Sequence, residues 1–103
     1  MGLVINLQDE EGETEEVVCD DHNLLHQILP TLDNNSYQLL KYVDWYGDTV
    51  FNVLQMKLFL EEIDRLIIQE SNSPEKVEIL NKIKLLGKKC QNRVHRYIKF
   101  IGD

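Results

Sequence analysis

The stretch NSPEKVEILNKIKLLGKKCQNRVHRYIKFIG, residues 72–102, decides the reading of the fold. Ser73 is a capping residue and Pro74 suits the first helical position, so Asn72-Ser73-Pro74 ends one element and begins another. Leu80, Ile83, Gly87, Cys90, Val94, Tyr97 and Ile101 then recur at alternating three- and four-residue steps, the period of one helix face. The spacing predicts a long helix over 74–101, with Gly102 where a left-handed cap would sit. Gly87 and Cys90, both small, would let another element approach that stripe closely.

Upstream, Met56, Phe59, Leu60, Ile63, Leu66 and Ile67 repeat in the same way, while Lys57, Glu61, Glu62, Asp64 and Arg65 take the other face. A helix over 53–69 follows, with Glu61 and Arg65 able to pair across one turn. The short break at Asn72-Ser73 makes the two helices an antiparallel pair. Ser36 to Asn52 mixes Tyr37, Leu39, Leu40, Tyr42 and Val43 with a break at Tyr46-Gly47-Asp48. It reads as a mostly irregular, partly buried connection, in which Asp48-Thr49 caps a helix beginning near Phe51. Thr31 to Asn35 is turn-like. Before it, Asp20 or Asp21 can cap a short helix carrying Leu24, Leu25, Ile28 and Leu29, stopped by Pro30. Leu3 to Leu7 and Glu15 to Cys19 read as two strands of a hairpin around Glu11-Gly12. The expected fold is therefore α+β: an N-terminal β-hairpin packed on a mainly helical part with a C-terminal antiparallel helix pair, in a single domain over 1–103.

With 103 residues, 43 % hydrophobic and 28 % charged, the chain suits one ordinary globular core. Lys57, Glu61 and Glu62 interrupt its richest apolar stretch, so no segment reads as a membrane span. Met1 to Leu7 lacks a basic region and is followed by acids, unlike a signal peptide. Cys19 and Cys90 read as buried thiols of a reducing, cytoplasmic compartment rather than a disulfide. The net charge is −7, unevenly spread. Residues 1–73 hold 15 acids against three bases, and residues 74–103 hold eight bases against three acids. Either the two parts fold together and partly neutralise, or an acidic face meets a basic partner.

Few residue groups suggest chemistry. Asp44 and Asp48 flank a turn-forming glycine, where aspartate is a common turn and cap residue. Cys19, His22 and His26 have a spacing that would suit zinc if Asp21 or His95 supplied a fourth ligand, yet only half of a structural zinc pattern is present. Cys90 and His95 stand five apart, which places them on different faces of a helix. No phosphate-binding glycine loop or nucleophile elbow occurs. Neither catalysis nor a cofactor nor a resident metal is expected. Lys84, Lys88, Lys89, Arg93, Arg96 and Lys99 form a basic flank that would suit phosphates, although the overall charge opposes nucleic-acid binding.

Two segments carry a family resemblance: Tyr42-Val43-Asp44-Trp45-Tyr46-Gly47-Asp48-Thr49-Val50-Phe51-Asn52-Val53-Leu54-Gln55 and the closing Val94-His95-Arg96-Tyr97-Ile98-Lys99-Phe100-Ile101-Gly102-Asp103. The chain resembles a family of small bacterial cytoplasmic proteins that share D-x-Y-G-D-T-x-F-N-x-x-Q and V-H-x-Y-x-x-F-I-G-D. The resemblance covers about the last two thirds of the chain. At the level of class, such proteins are similar to immunity proteins of contact-dependent and other polymorphic toxin systems.

What the resemblance implies is a stoichiometric protein-binding inhibitor whose partner is a toxin domain, expected to be a basic nuclease. Asp44, Trp45, Tyr46 and Asp48 are the expected contact residues, with Asp20, Asp21, Glu61 and Glu62 as supporting charges. Tyr46, Phe51 and His95 have a plainer reading as a buried joint between the loop and the last helix, favoured for His95. The alternatives are a nucleic-acid-binding regulator using the basic helix, and a self-assembling protein pairing copies through its 3-4 stripe.

Overall fold

The N-terminal hairpin forms as its alternating apolar residues require. Strand β1 (Val4–Gln8) pairs antiparallel with β2 (Thr14–Cys19), from Val4 opposite Cys19 to Leu7 opposite Glu16, with a bulge before Gln8 meets Thr14. The turn is closed by the Asp9 carboxylate, which accepts the Glu11 and Glu13 N–H groups at 3.0 and 2.9 Å. Gly12 takes φ 85°, a value that glycine adopts without steric cost. These features belong to a computed structural model that describes residues 2–102.

Beyond the hairpin come a one-turn helix α1 (Leu25–Ile28), a 3₁₀ turn at Leu40–Tyr42, strand β3 (Asp48–Asn52) and a second 3₁₀ turn at Val53–Gln55. Helices α2 (Met56–Gln69) and α3 (Pro74–Gln91) follow, then strand β4 (Tyr97–Ile101). The sheet order is β2-β1-β4-β3, antiparallel throughout. The α+β class holds, but the hairpin is one half of a four-stranded sheet.

Two expectations are corrected here. The last helix ends at Gln91 rather than Ile101, and residues 97–101 form an inner strand between β1 and β3. The helical stripe misled because residues four apart share a face in a strand as well as in a helix. Tyr97 and Ile101 therefore fit both patterns. The period of two in Tyr-Ile-Lys-Phe-Ile decides the matter, because it buries Ile98 and Phe100, which a helical stripe through 97 and 101 leaves out. Gly102 accordingly has no helix to cap.

The connection Ser36–Asn52 is likewise less irregular than its composition suggests, since β3 occupies its end. Asp48-Thr49 opens this strand and caps no helix. Asn52 does the capping: its Oδ1 accepts the Gln55 N–H at 3.2 Å, while Gln55 Oε1 accepts the Asn52 N–H at 2.8 Å.

Both long helices lie on one face of the sheet, over Ile5, Leu7, Val18, Phe51, Ile98 and Phe100. Phe51, Phe59 and Phe100 meet at the centre, with ring centroids 5.5 to 6.2 Å apart. Each such buried side chain contributes roughly 1.5–3 kcal/mol relative to exposure. Gly87 has the close-approach role expected of it: a Cβ there would lie 2.8 Å from Leu60 Cδ2 and 3.2 Å from the Phe59 ring. The stripe Leu80, Ile83, Gly87 and Cys90 is thus consumed inside the chain.

The charge asymmetry is largely internal. Lys84 meets Asp64 at 2.7 Å, Arg96 and Arg93 meet Glu15 at 2.8 and 3.2 Å, Lys99 meets Asp48 at 3.3 Å, and Lys89 bonds Glu16. The hydrogen bond from Arg96 to Glu15 raises the already high pKa of that guanidinium. Every one of these pairs joins the basic third of the sequence to the acidic remainder. Arg65 does not pair with Glu61; its guanidinium donates to the Ser36 carbonyl at 2.7 Å and covers the Tyr37 ring at 4.3 Å. Among the described residues, no helix is long and apolar enough to cross a membrane.

Candidate functional site

The segment leading into the candidate site is fixed by a buried carboxylate. Glu62, expected on the polar face of α2, is fully enclosed, and accepts the backbone N–H groups of Gln38, Leu39 and Leu40 at 2.7 to 3.3 Å. Three donors at the start of the 3₁₀ turn have no partner within the turn itself, so a carboxylate from another element satisfies them together. Leu40 and Val43 then enter the core, while Tyr42 turns outward.

Residues Asp44–Asp48 form the loop between that turn and β3. The Asp44 carboxylate accepts the Tyr46 N–H at 2.9 Å, and the Asp44 N–H donates to Thr49 Oγ1 at 2.8 Å. Gly47 O accepts the Gly102 N–H at 2.7 Å, extending the β3–β4 ladder by one step. A Cβ on Gly102 would lie 2.4 Å from the Trp45 carbonyl oxygen and 2.7 Å from that of Asp44, so glycine is required for this approach. The loop is therefore pre-ordered by its own backbone bonds and by the end of β4.

Its side chains lie at the surface, Trp45 packing partly against the core. Tyr46 is 86 % exposed, Tyr42 58 % and Leu32 65 %. Trp45 is half-buried and meets the His26 ring edge-on at a centroid distance of 4.8 Å. Together with Pro30, these residues line a shallow concavity of about 480 Å³. Asp44 and Lys41 also line it, while Asp33 and Asp48 are exposed at neighbouring positions and Asp48 pairs with Lys99. Lys41 lies over the Tyr42 ring at 5.3 Å. A pre-ordered aromatic surface of this kind can bury apolar area against a partner, with Asp44 available to a partner's cation.

Of the eight expected contact residues, Asp44, Trp45, Tyr46 and Asp48 come together. Asp21 and Glu61 are exposed and lie on other elements. Asp20 and Glu62 are corrections. Asp20 is 2 % exposed, and its two carboxylate oxygens accept the Leu24 and Leu25 N–H groups, both at 2.8 Å. It holds α1, as one reading of the sequence required, and cannot also meet a partner's cation. The buried-joint reading keeps only Phe51. His95 is exposed, stands at φ 61° and faces Glu10 at 3.6 Å, and Tyr46 points outward. Leu32 and Tyr42 were missed. Their only signal is an apolar or aromatic residue beside turn residues, which becomes a patch once the chain folds back.

The other groups do not assemble. Cys19 is exposed rather than buried, His26 is turned to Trp45, and among the described residues no group of three or more His, Cys, Asp or Glu side chains comes together to hold a metal. Cys90 is enclosed, its Sγ donates to the Arg96 carbonyl at 3.4 Å, and burial pushes the thiol pKa up to about 11. A thiol so raised is a poor nucleophile near neutrality.

Compared with protein families, curated proteins and solved structures, the chain matches none. The geometry nonetheless shows what the two motifs of the first subsection do together. Asp44, Gly47 and Thr49 order the loop, Phe51 packs on Phe100, Asn52 and Gln55 cap the 3₁₀ turn that leads into α2, and Gly102 receives the loop backbone. Most of the motif is spent on one joint between β3 and β4. Tyr46 remains for solvent, while Trp45 packs on His26 and Asp48 pairs with Lys99.

Proposed function

We propose that this chain is a stoichiometric protein-binding inhibitor, and that it acts as a cytoplasmic immunity protein against a bacterial contact-dependent or other polymorphic toxin with a basic nuclease domain. The observation that carries the binding part is the pre-ordered surface formed by Tyr46, Tyr42, Trp45 and Leu32, with Asp44 in its lining and Asp33 exposed beside Leu32. Exposed aromatics on a rigid loop lose little entropy on docking and are favoured as anchors. The surrounding carboxylates would steer a cationic partner and cover the lysines and arginines of a nucleic-acid site. The toxin part rests on the motif resemblance and on the net charge of −7.

The test is co-purification with products of the adjoining genes at low and moderate salt, using the wild type and Tyr46→Ala. A basic toxin-like domain recovered near one-to-one, more weakly at higher salt and at least tenfold more weakly with Tyr46→Ala, supports the reading. Recovery unaffected by Tyr46→Ala, or recovery of nucleic acid alone, overturns it. The nucleic-acid alternative has less support, because Lys84, Lys89, Arg93, Arg96 and Lys99 are all engaged by carboxylates of the same chain.

A further inference from the structure

The sheet face opposite the helices has a character of its own. Pairing register places Val4, Asn6 and Gln8 of β1, Thr14, Val17 and Cys19 of β2, Asp48, Val50 and Asn52 of β3, and Tyr97, Lys99 and Ile101 of β4 at its outward positions. No helix covers these side chains: Val17 is 51 % exposed and Val50 52 %, against 3 % or less for Ile5, Leu7, Phe51, Ile98 and Phe100 on the inner face. Half of the twelve outward residues are apolar, counting Cys19 and Tyr97. In a sheet solvated on one face the outward positions are ordinarily polar.

Two further observations bear on what covers this face. Its only charged residues at paired positions are Asp48 and Lys99, and these neutralise each other at 3.3 Å. On a chain of net charge −7, it is a surface on which two copies can meet without opposing like charges. A basic partner would gain little here, since the one carboxylate at these positions is already paired. At the centre lies Asn6, only 8 % exposed, between Val17 and Lys99 in register. Its Nδ2 donates weakly to Thr14 Oγ1 at 3.4 Å, and its Oδ1 has no hydrogen-bond partner. A buried unpaired acceptor is costly. An amide is also self-complementary, since each of two opposed amides can donate to the other's oxygen once both turn outward. Two asparagine side chains span roughly the 10 Å that separates packed sheets.

We infer that the outward face is a homodimer interface, in which two copies pack sheet against sheet about a two-fold axis through the neighbourhood of Asn6. Val4, Val17, Val50 and Ile101 supply the apolar contact, and each Lys99, next to Asn6 in register, stays neutralised by the Asp48 of its own chain. Four strands of five or six residues give a projected area of about 300 Å². This is well under the roughly 800 Å² per partner of a standard stable interface, so the dimer is weak and concentration-dependent. The surface differs from the helical stripe, which is spent inside the chain.

The experiment is sedimentation equilibrium of the full chain over a wide concentration range, for the wild type, Val17→Glu, Val50→Glu and Tyr46→Ala, with circular dichroism to confirm folding. The expected result is a mass rising toward twice the 12.1 kDa of one chain for the wild type and Tyr46→Ala. Each glutamate variant should shift the dissociation constant upward at least tenfold. Both valines are exposed, so their replacement leaves the core intact. A second measurement leaves the interface untouched: raising the concentration of isotope-labelled wild type should broaden amide signals of Val17, Val50 and Lys99. A wild type that stays monomeric at millimolar concentration overturns the inference. So does a dimer unaffected by either glutamate, or broadening confined to α2 and α3.

Discussion

Two neighbouring regions use carboxylates in the same way and to opposite ends. In the segment Gln38–Leu40, Glu62 reaches from α2 to accept three backbone N–H groups in an enclosed site. In the loop Asp44–Asp48, Asp44 accepts one N–H from Tyr46 at the surface. The bonds are of one kind, but a buried donor that loses its acceptor has no water to turn to, and an exposed one does. The first region is therefore part of the fold, and the second presents side chains from it.

Substitutions can break or sharpen this contrast. Glu62→Ala should have the largest effect, about 3–5 kcal/mol lost in urea unfolding, because it strands a cluster of buried donors. A loss below about 1 kcal/mol would show that water replaces the carboxylate. Gly102→Ala comes next, at about 1–3 kcal/mol, since its Cβ would strike the Trp45 and Asp44 carbonyls. The amide signals of residues 44–47 should shift in that variant while those of α3 stay in place. Asp44→Ala should cost less than about 1 kcal/mol, as its bond lies at the surface. Tyr46→Ala should change stability by no more than about 0.5 kcal/mol while weakening partner capture at least tenfold, which would separate presentation from folding.

Alkali gives a related test from the core. The pKa of Cys90 is raised in the folded state to about 11 from 9.0, so the folded state holds its proton more tightly than the unfolded one. That contribution to stability is complete below pH 9 and is lost as pH rises through 11. Urea midpoints measured from pH 8 upward should fall beyond pH 9, and Cys90→Ala should flatten the decline. Thiol reagents near neutral pH should modify Cys19 and spare Cys90.

How much was legible follows from the range of each interaction. The hairpin, the start of α3 at Ser73-Pro74 and the core stripes of both helices were readable, because strand alternation, helix period and capping are local. The loop Asp44–Asp48 was readable as a turn for the same reason. The strand β4 was not separated from the helix before it, since residues 97 and 101 satisfy both periods. Leu32 and Tyr42 join the exposed surface only because Glu62 and Arg65 of α2 fold their segment back.

The sequence by itself determined that this chain has a hairpin, two amphipathic helices with a close contact at Gly87, and an acidic part able to meet a basic one. Tertiary structure alone decided which charges cancel, which carboxylates are buried, and that residues 97–101 become the strand joining the hairpin to β3. The reason is physical: a period of two or 3.6 is written into consecutive residues. The partner of a carboxylate or the neighbour of a strand lies tens of residues away, and is set by what the whole core can bury at once.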